Sequence, residues 1–187
     1  MTRFFRYGGI AASIVLIAFG IGAIVVGYDG RDQVRTELAR EQIVGTEDST
    51  IPGQKVDTGT EAQAFAKVMR KHTLEATGGQ TYAQMGRFLD TAGKPTNDEK
   101  LAAKSEQSGK PVDNPLRNLW VTETALTTAL NTAYFAESVS MFVIGMGFAL
   151  LLVGVGLLVL TLIALRHPAT AADGRWTGSR AAPTPAG

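Results

Sequence analysis

The residues of this chain best suited to chemistry lie close together in the stretch HTLEATGGQTY, which spans residues 72–82. The imidazole of His72, the carboxylate of Glu75 and the phenol of Tyr82 are groups that can act as general acids or bases. Asp90 follows a few residues later and could join them. One interpretation is therefore that this part of the protein is an enzyme or a ligand sensor.

The same stretch also has a purely structural interpretation. Gly78 follows a helical pattern at the position where helices favour a left-handed residue, and Thr81 could cap a second, shorter helix. Helical spacing then gives an apolar face made by Phe65, Val68, Met69, His72 and Ala76. We favour this interpretation, in which His72 is packed and hydrogen-bonded and Glu75 faces water. We predict no catalytic residue here, and we keep His72, Glu75 and Tyr82 as a candidate interaction surface.

The composition excludes several kinds of site. The chain has no cysteine, which rules out disulfides, thiolate metal sites and cysteine nucleophiles. The sequence shows neither a glycine-rich phosphate loop nor a cluster of metal ligands. Its 18 basic and 17 acidic residues nearly balance, which argues against a nucleic-acid partner. We therefore predict no cofactor-binding residue and no metal-binding residue.

Two long runs without a charged residue dominate the sequence, at residues 8–27 and 139–165. A helix of about 20 apolar residues crosses a bilayer. We therefore predict transmembrane helices at residues 8–28 and 139–165, with the lipid bilayer as the surrounding solvent. The alternatives are a signal peptide for the first run and a buried helix of a soluble protein for the second.

The distribution of charge predicts how the two spans are threaded. The terminal segments 1–7 and 166–187 hold five arginines and one aspartate, whereas acidic residues outnumber basic ones between the runs. Short basic flanks remain in the cytoplasm. We therefore predict a cytoplasmic N-terminus at 1–7, an extracytoplasmic domain at 29–138 and a disordered cytoplasmic tail at 166–187.

Small residues recur every seven positions in both apolar runs. A seven-residue repeat keeps one helix face toward a partner helix, and small side chains let two backbones approach closely in lipid. We predict that the spans form an antiparallel hairpin through the helix-packing residues Ser13, Gly20, Gly27, Ser140, Gly147, Gly154 and Thr161. Other small residues on these helices would then remain available to another subunit.

Both spans are expected to continue outward as helical stems. The first would extend to Gly45, and the second would begin at Pro115, which suits the first position of a helix. Counting outward from the membrane places Arg31 and Arg35 near Glu137, which predicts an ion pair. The fold class is an all-α membrane protein: two transmembrane helices in an antiparallel hairpin, extended outward as helical stems that carry a small helical extracytoplasmic head.

The head is expected to contain two short helices. Thr60 with Gln63, and Thr81 with Gln84, fit the capping-box pattern that starts a helix. The second helix would turn Tyr82, Met85 and Leu89 inward. Residues 46–59 are predicted to be a loop, and residues 97–111 an exposed helix or loop.

Three segments together resemble an uncharacterised family of small two-span membrane proteins from actinobacteria: ELAREQIVG, HTLEATGGQTYAQM and the long segment that starts NPLRNLWVTETALTTALN. The resemblance implies a bacterial plasma membrane. Some proteins of this kind carry the label "aromatic ring-opening dioxygenase", and such enzymes hold iron with two histidines and a carboxylate. The two histidines here, His72 and His167, are predicted on opposite sides of the membrane, so the label does not fit.

Three functions remain open. We expect a non-enzymatic accessory or assembly subunit that docks on a larger cell-envelope complex, with a protein partner or a homo-oligomer. The first alternative is an extracytoplasmic head that senses a ligand or acts as an enzyme. The second is a small oligomeric channel, although neither span contains the ionisable residues that ion paths usually need.

Overall fold

A computed structural model describes residues 2–166, with side chains described from Tyr7 onward. The predicted C-terminal tail, including His167, lies outside the described residues. The described chain is mostly helical, with three helices: α1 at Thr2–Arg40, α2 at Gly59–Ala76 and α3 at Pro115–Arg166. Between α2 and α3 lie a 3-10 helix at Tyr82–Gln84 and two short strands, β1 at Phe88–Leu89 and β2 at Pro95–Thr96.

The two long helices pack together through small residues and run in opposite directions. A Cβ atom placed on Gly9 would meet Thr161, one on Gly20 would meet the Gly147 backbone, and one on Gly27 would meet Ile144 and the Ser140 backbone. At Gly20 that atom would lie 2.8 Å from the Gly147 carbonyl oxygen. The backbones are therefore too close for any side chain at this crossing.

The outer surfaces of α1 and α3 are apolar and largely uncovered. Both helices are long and apolar enough to cross a membrane. In the most apolar 18-residue stretch of each helix, only 11% of α1 and 6% of α3 is buried inside the chain. A core helix of a soluble protein would instead be mostly covered by its own fold. Large side chains that are about two-thirds exposed include Phe19, Val26, Phe142, Leu152 and Leu160.

Helix α1 ends earlier than expected. We predicted that it continues to Gly45, but it ends at Arg40, and Gln42 adopts a left-handed φ of 53°. The chain then turns back, and the Val56 amide donates to the Ile43 carbonyl at 2.9 Å. Residues 46–58 form a loop, as predicted, that returns the chain to the start of α2.

Helix α2 begins two residues before the predicted start. The capping box pairs Thr58 with Glu61, so the predicted pair Thr60 and Gln63 was wrong. Both pairs fit the sequence pattern, and the earlier start makes Gly59 the first residue of α2, with its amide bonded to Glu137 of α3. The buried residues of α2 also differ from the predicted face, and are Gly59, Ala62, Ala66, Val68 and Thr73. Alanine and glycine on this face let α2 lie close to α3.

A small apolar core joins α2 to the outer parts of α1 and α3. Its buried members are Leu38, Val56, Ala62, Ala66 and Leu130. Partly buried residues from all three helices and from the loop surround it, including Val34, Ile51, Phe65 and Leu126. The loop and α2 are therefore held against the stems by burial of apolar surface.

The segment after α2 is not purely helical, contrary to the all-α prediction. Gly78 and Gly79 take positive φ angles of 60° and 80°, and Thr81 with Gln84 forms the predicted capping box. The helix that follows has only three residues, because the chain then pairs Phe88 with Thr96 in a two-stranded sheet. Met85 is buried as expected, whereas Tyr82 is 44% exposed and Leu89 lies in β1.

The close approach of α1 and α3 predicts opposite effects for two neighbouring glycines. Gly20→Ala should destabilise the protein by about 1–3 kcal/mol, because its methyl group must displace the Gly147 backbone. Gly22→Ala meets nothing within 4 Å, so the better helix propensity of alanine should leave stability unchanged or raise it. Thermal unfolding in mild detergent, followed by circular dichroism, measures both. Equal Tm values for the two variants would contradict this packing.

Candidate functional site

The carboxylate of Glu137 on α3 is bonded to residues of both other helices. Its Oε1 atom accepts from Arg35 Nε at 2.8 Å and from Arg31 Nε at 3.1 Å. Its Oε2 atom accepts from the backbone amide of Gly59. The predicted ion pair is therefore present, and a third helix joins it. We call these four residues the Glu137 junction.

Gly59 is required at the junction by both space and charge. A Cβ atom on Gly59 would lie 2.8 Å from Tyr134 Cα and 3.0 Å from Glu137 Oε2. Gly59 is also the first residue of α2, and the N-terminus of a helix attracts negative charge. The carboxylate thus meets two guanidinium groups and the positive end of a helix at one point.

The electrostatic environment keeps Glu137 ionised. Burial raises the pKa of this carboxyl, but the hydrogen bonds from Arg35, Gly59 and Arg31 together outweigh burial, so the pKa lies below its ordinary value. Both carboxylate oxygens have protein partners and the side chain is only 10% exposed. The junction is therefore a connection between three helices and has no free oxygen for catalysis.

His72 and Glu75 belong to a second polar group, on the surface. His72 Nε2 lies 2.9 Å from Asp48 Oδ2, and Lys71 Nζ lies 2.8 Å from the same oxygen. Glu75 contacts Lys71 at 3.8 Å. Our prediction that His72 packs on the apolar face of α2 was wrong, because the buried face includes Thr73, and His72 lies about 100° around the helix from it. Its side chain is 39% exposed and reaches Asp48 in the loop. The prediction that it is hydrogen-bonded was correct.

Asp48 is the centre of this second group. Hydrogen bonds from Lys71, His72 and Thr46 hold the pKa of Asp48 well below its ordinary value. The same contact raises the pKa of Lys71. Within residues 7–166, no group of three histidine or acidic side chains could hold a metal ion. The arrangement attaches the 46–58 loop to α2 and offers no assembled reactive centre.

Tyr82 and Asp90 lie in other surroundings. The Arg117 guanidinium stacks on the Tyr82 ring, 4.0 Å from its centroid. Asp90 closes a turn, since its Oδ1 accepts from the amides of Ala92 and Lys94 at 2.8 Å. The candidate interaction surface is therefore divided: His72 and Glu75 flank Lys71, whereas Tyr82 forms part of a cleft at the start of α3.

The predicted helix-packing residues all face the contact between α1 and α3 or border it. Ser13, Gly20, Gly27, Gly147 and Gly154 are buried. The hydroxyls of Ser13, Ser140 and Thr161 donate to carbonyls four residues earlier in their own helices, at 2.7–2.9 Å. The contact is therefore made by close packing, with its hydroxyl groups already hydrogen-bonded within each helix.

We compared the chain with family models, curated proteins and solved structures. None matches. The resemblance to the actinobacterial two-span family stays a prediction, and the function has to be inferred from the geometry of the chain itself.

A groove lies between the outer parts of α1 and α3. It has a volume of about 540 Å³. Its acidic groups come from Glu37 of α1 and from Glu41, the first residue after α1. Most of the remaining lining is apolar: Val34, Leu38, Ile43, Leu126, Ala129, Leu130, Ala133 and Ala136. We call it the stem groove.

Sequence reasoning missed Asp48, Gly59 and Arg117. Asp48 lies in an irregular loop, where no periodicity fixes its direction. The signal for Gly59 was present, since it follows a threonine that has glutamate three residues later. Arg117 looked like an ordinary exposed residue in the first turn of a helix, and only the folded structure brings it over Tyr82.

The Glu137 junction predicts a specific stability change. Glu137→Gln should lower the stability at pH 7 by about 1–3 kcal/mol, because two arginines lose their charged acceptor. Glu37→Gln removes an exposed i,i+3 pair with Arg40 and should cost less than about 0.5 kcal/mol. Thermal unfolding of both variants in detergent provides the comparison.

The same junction gives a pH dependence with a definite sign. The folded pKa of Glu137 lies below the ordinary value of 4.5, so its contribution is complete above pH 4.5 and is lost as the pH falls through the folded pKa. The difference in Tm between the wild type and Glu137→Gln should therefore shrink in acid. A difference that persists unchanged well below pH 4 would refute this role.

Proposed function

We propose that the protein is a two-pass integral membrane protein whose α1 and α3 form an antiparallel hairpin in the bilayer. Both termini lie in the cytoplasm, and residues 29–138 lie outside it, in the arrangement expected of a bacterial plasma-membrane protein. The protein acts without catalysis, as an accessory or assembly subunit of a larger cell-envelope complex. The stem groove is the observation that carries this role.

The apolar surface of the hairpin supports the membrane location. Exposed phenylalanine, leucine and valine side chains cover both long helices, and water would make such a surface costly. The Glu137 junction lies directly outside the second apolar run, since Glu137 precedes Val139 by two residues. Charged groups at that position suit the boundary between lipid and water.

The stem groove supports docking on another protein. Its apolar residues lie between the stems beyond the apolar runs, so the bilayer does not cover them. Glu37 and Glu41 add negative charge to the lining, and only Glu37 has an arginine partner among the described side chains. We infer that the occupant is a helix of a partner protein with small or aliphatic residues on one face and lysine or arginine beside them.

The channel alternative has less support from the geometry. A water path would need free hydroxyl groups, but those of Ser13, Ser140 and Thr161 face the contact between the two helices and donate to carbonyls of their own helices. The ligand-sensor alternative keeps one specific observation in its favour, which is the cleft beside Tyr82.

Because the natural chain has no cysteine, single introduced cysteines can test the threading. Thr50→Cys, at an exposed loop position, should react with a membrane-impermeant maleimide in intact cells. Thr2→Cys should react only after the membrane is permeabilised. Labelling of Thr2→Cys but not Thr50→Cys in intact cells would reverse the proposed topology.

The docking role predicts position-specific crosslinking in cells. A photoreactive amino acid at Ala129, inside the stem groove, should form an adduct with a larger envelope protein. The same amino acid at Asn131, an exposed neighbour outside the groove, should not. Glu41→Lys should reduce the Ala129 adduct by reversing a charge in the groove lining, whereas Glu47→Lys in the loop should not.

The identity of the crosslinked peptide decides the outcome. A helical, apolar segment with basic residues from another protein supports the proposal. An adduct between two copies of this chain would overturn the accessory role and indicate that the groove is the interface of a homo-oligomer. Equal adducts from Ala129 and Asn131, or no adduct at Ala129, would overturn docking in the groove.

A further inference from the structure

A polar cleft lies at the end of the molecule farthest from the apolar runs. Its volume is about 300 Å³, at the lower end of the range of ligand pockets. Its walls come from the 3-10 helix, from the residues around β1 and from the first turn of α3. The lining residues are Tyr82, Arg87, Asp113, Asn114, Arg117 and Asn118.

Two arginines in the cleft are held in place by aromatic rings. The Arg117 guanidinium lies 4.0 Å from the centroid of Tyr82, and the Arg87 guanidinium lies 4.9 Å from the centroid of Phe88. Phe88 is buried, so one of the two platforms is fixed by the core. A guanidinium stacked on its face keeps its edge N–H groups available for a planar acceptor.

Among residues 7–166, no carboxylate lies within 4.0 Å of either arginine. The ion pairs in this part of the chain are made by other basic residues: Arg31, Arg35, Arg40, Lys71 and His72. Asp113 lines the same cleft without pairing to either of them. The cleft therefore presents two forked donors and one acceptor carboxylate to whatever enters it. Its net charge of +1 favours a ligand with one negative group over a polyanion.

We propose that this cleft binds a small organic carboxylate that also carries an ammonium or hydroxyl group. The carboxylate accepts paired hydrogen bonds from Arg117 and Arg87, which match its planar geometry. The ammonium or hydroxyl group donates to Asp113, and Asn118 adds an amide that can donate or accept. An amino-acid-like zwitterion has this combination of groups.

A lipid headgroup is not the ligand that the position favours. Arg117 lies 22 positions before Val139, the first residue of the second apolar run, on one continuous helix. At 1.5 Å per residue the cleft lies about 33 Å along α3 from that run, well beyond the headgroup region. The ligand must therefore come from solution outside the membrane.

Calorimetric titration of the full chain in detergent tests the proposal with alanine, succinate, acetate and inorganic phosphate as probes. Alanine should bind saturably with one site per chain. Arg117→Ala and Arg87→Ala should each weaken binding about tenfold or more, because a charge-assisted pair is lost. Arg117→Lys keeps the charge without the fork and should also weaken binding.

Arg70→Ala is the matched control, because the Arg70 guanidinium also stacks on an aromatic ring, that of Trp120, but does not line the cleft. Its affinity for alanine should equal that of the wild type, and an unchanged Tm in every variant excludes loss of the fold. Binding of phosphate alone would overturn the ligand class. Equal binding by wild type and Arg117→Ala, or no binding up to about 10 mM, would overturn the site.

Discussion

The close approach of two backbones, at Gly20 and Gly147, is the constraint on which the rest of the structure depends. Because no side chain separates the helices there, α1 and α3 stay in contact from Gly9 to Gly30 on α1. That contact sets the register between the stems, and the register brings Arg31 and Arg35 opposite Glu137. The space between the stems further out, where leucine and isoleucine replace glycine, becomes the stem groove.

The Glu137 junction connects the two paired helices to α2. A single carboxylate receives two guanidiniums from α1 and the first amide of α2, so the orientation of α2 is tied to the register of the pair. The apolar core around Leu38 and Leu130 then holds the loop and α2 in place. The polar contacts set the orientation of α2, and burial of apolar surface supplies most of the stability of its packing.

The long elements could be predicted from the sequence because their signals are repeated. Twenty or more apolar residues and seven-residue spacing each involve many positions, so one exception does not hide them. The predicted limits of α3 differ from the observed ones by a single residue. Short elements depend on single contacts and are harder to predict. The start of α2 was misplaced because two capping patterns overlap. Strand β1 was missed because two residues are too few to show an alternating pattern. His72 was misassigned because large apolar side chains suggested one face of α2, whereas most of the buried positions are small residues, among them Ala62, Ala66 and Thr73.

Helix α3 runs without interruption for 52 residues, so one rod about 78 Å long connects the cleft to the other end of the hairpin. A tilt of about 5° at one end of such a rod displaces the opposite end by about 7 Å. Arg117 and Glu137 belong to the same rod, so a tilt of its apolar end moves the cleft at the opposite end. Binding of the proposed ligand in the cleft would therefore be coupled, through this one helix, to the tilt of its apolar end.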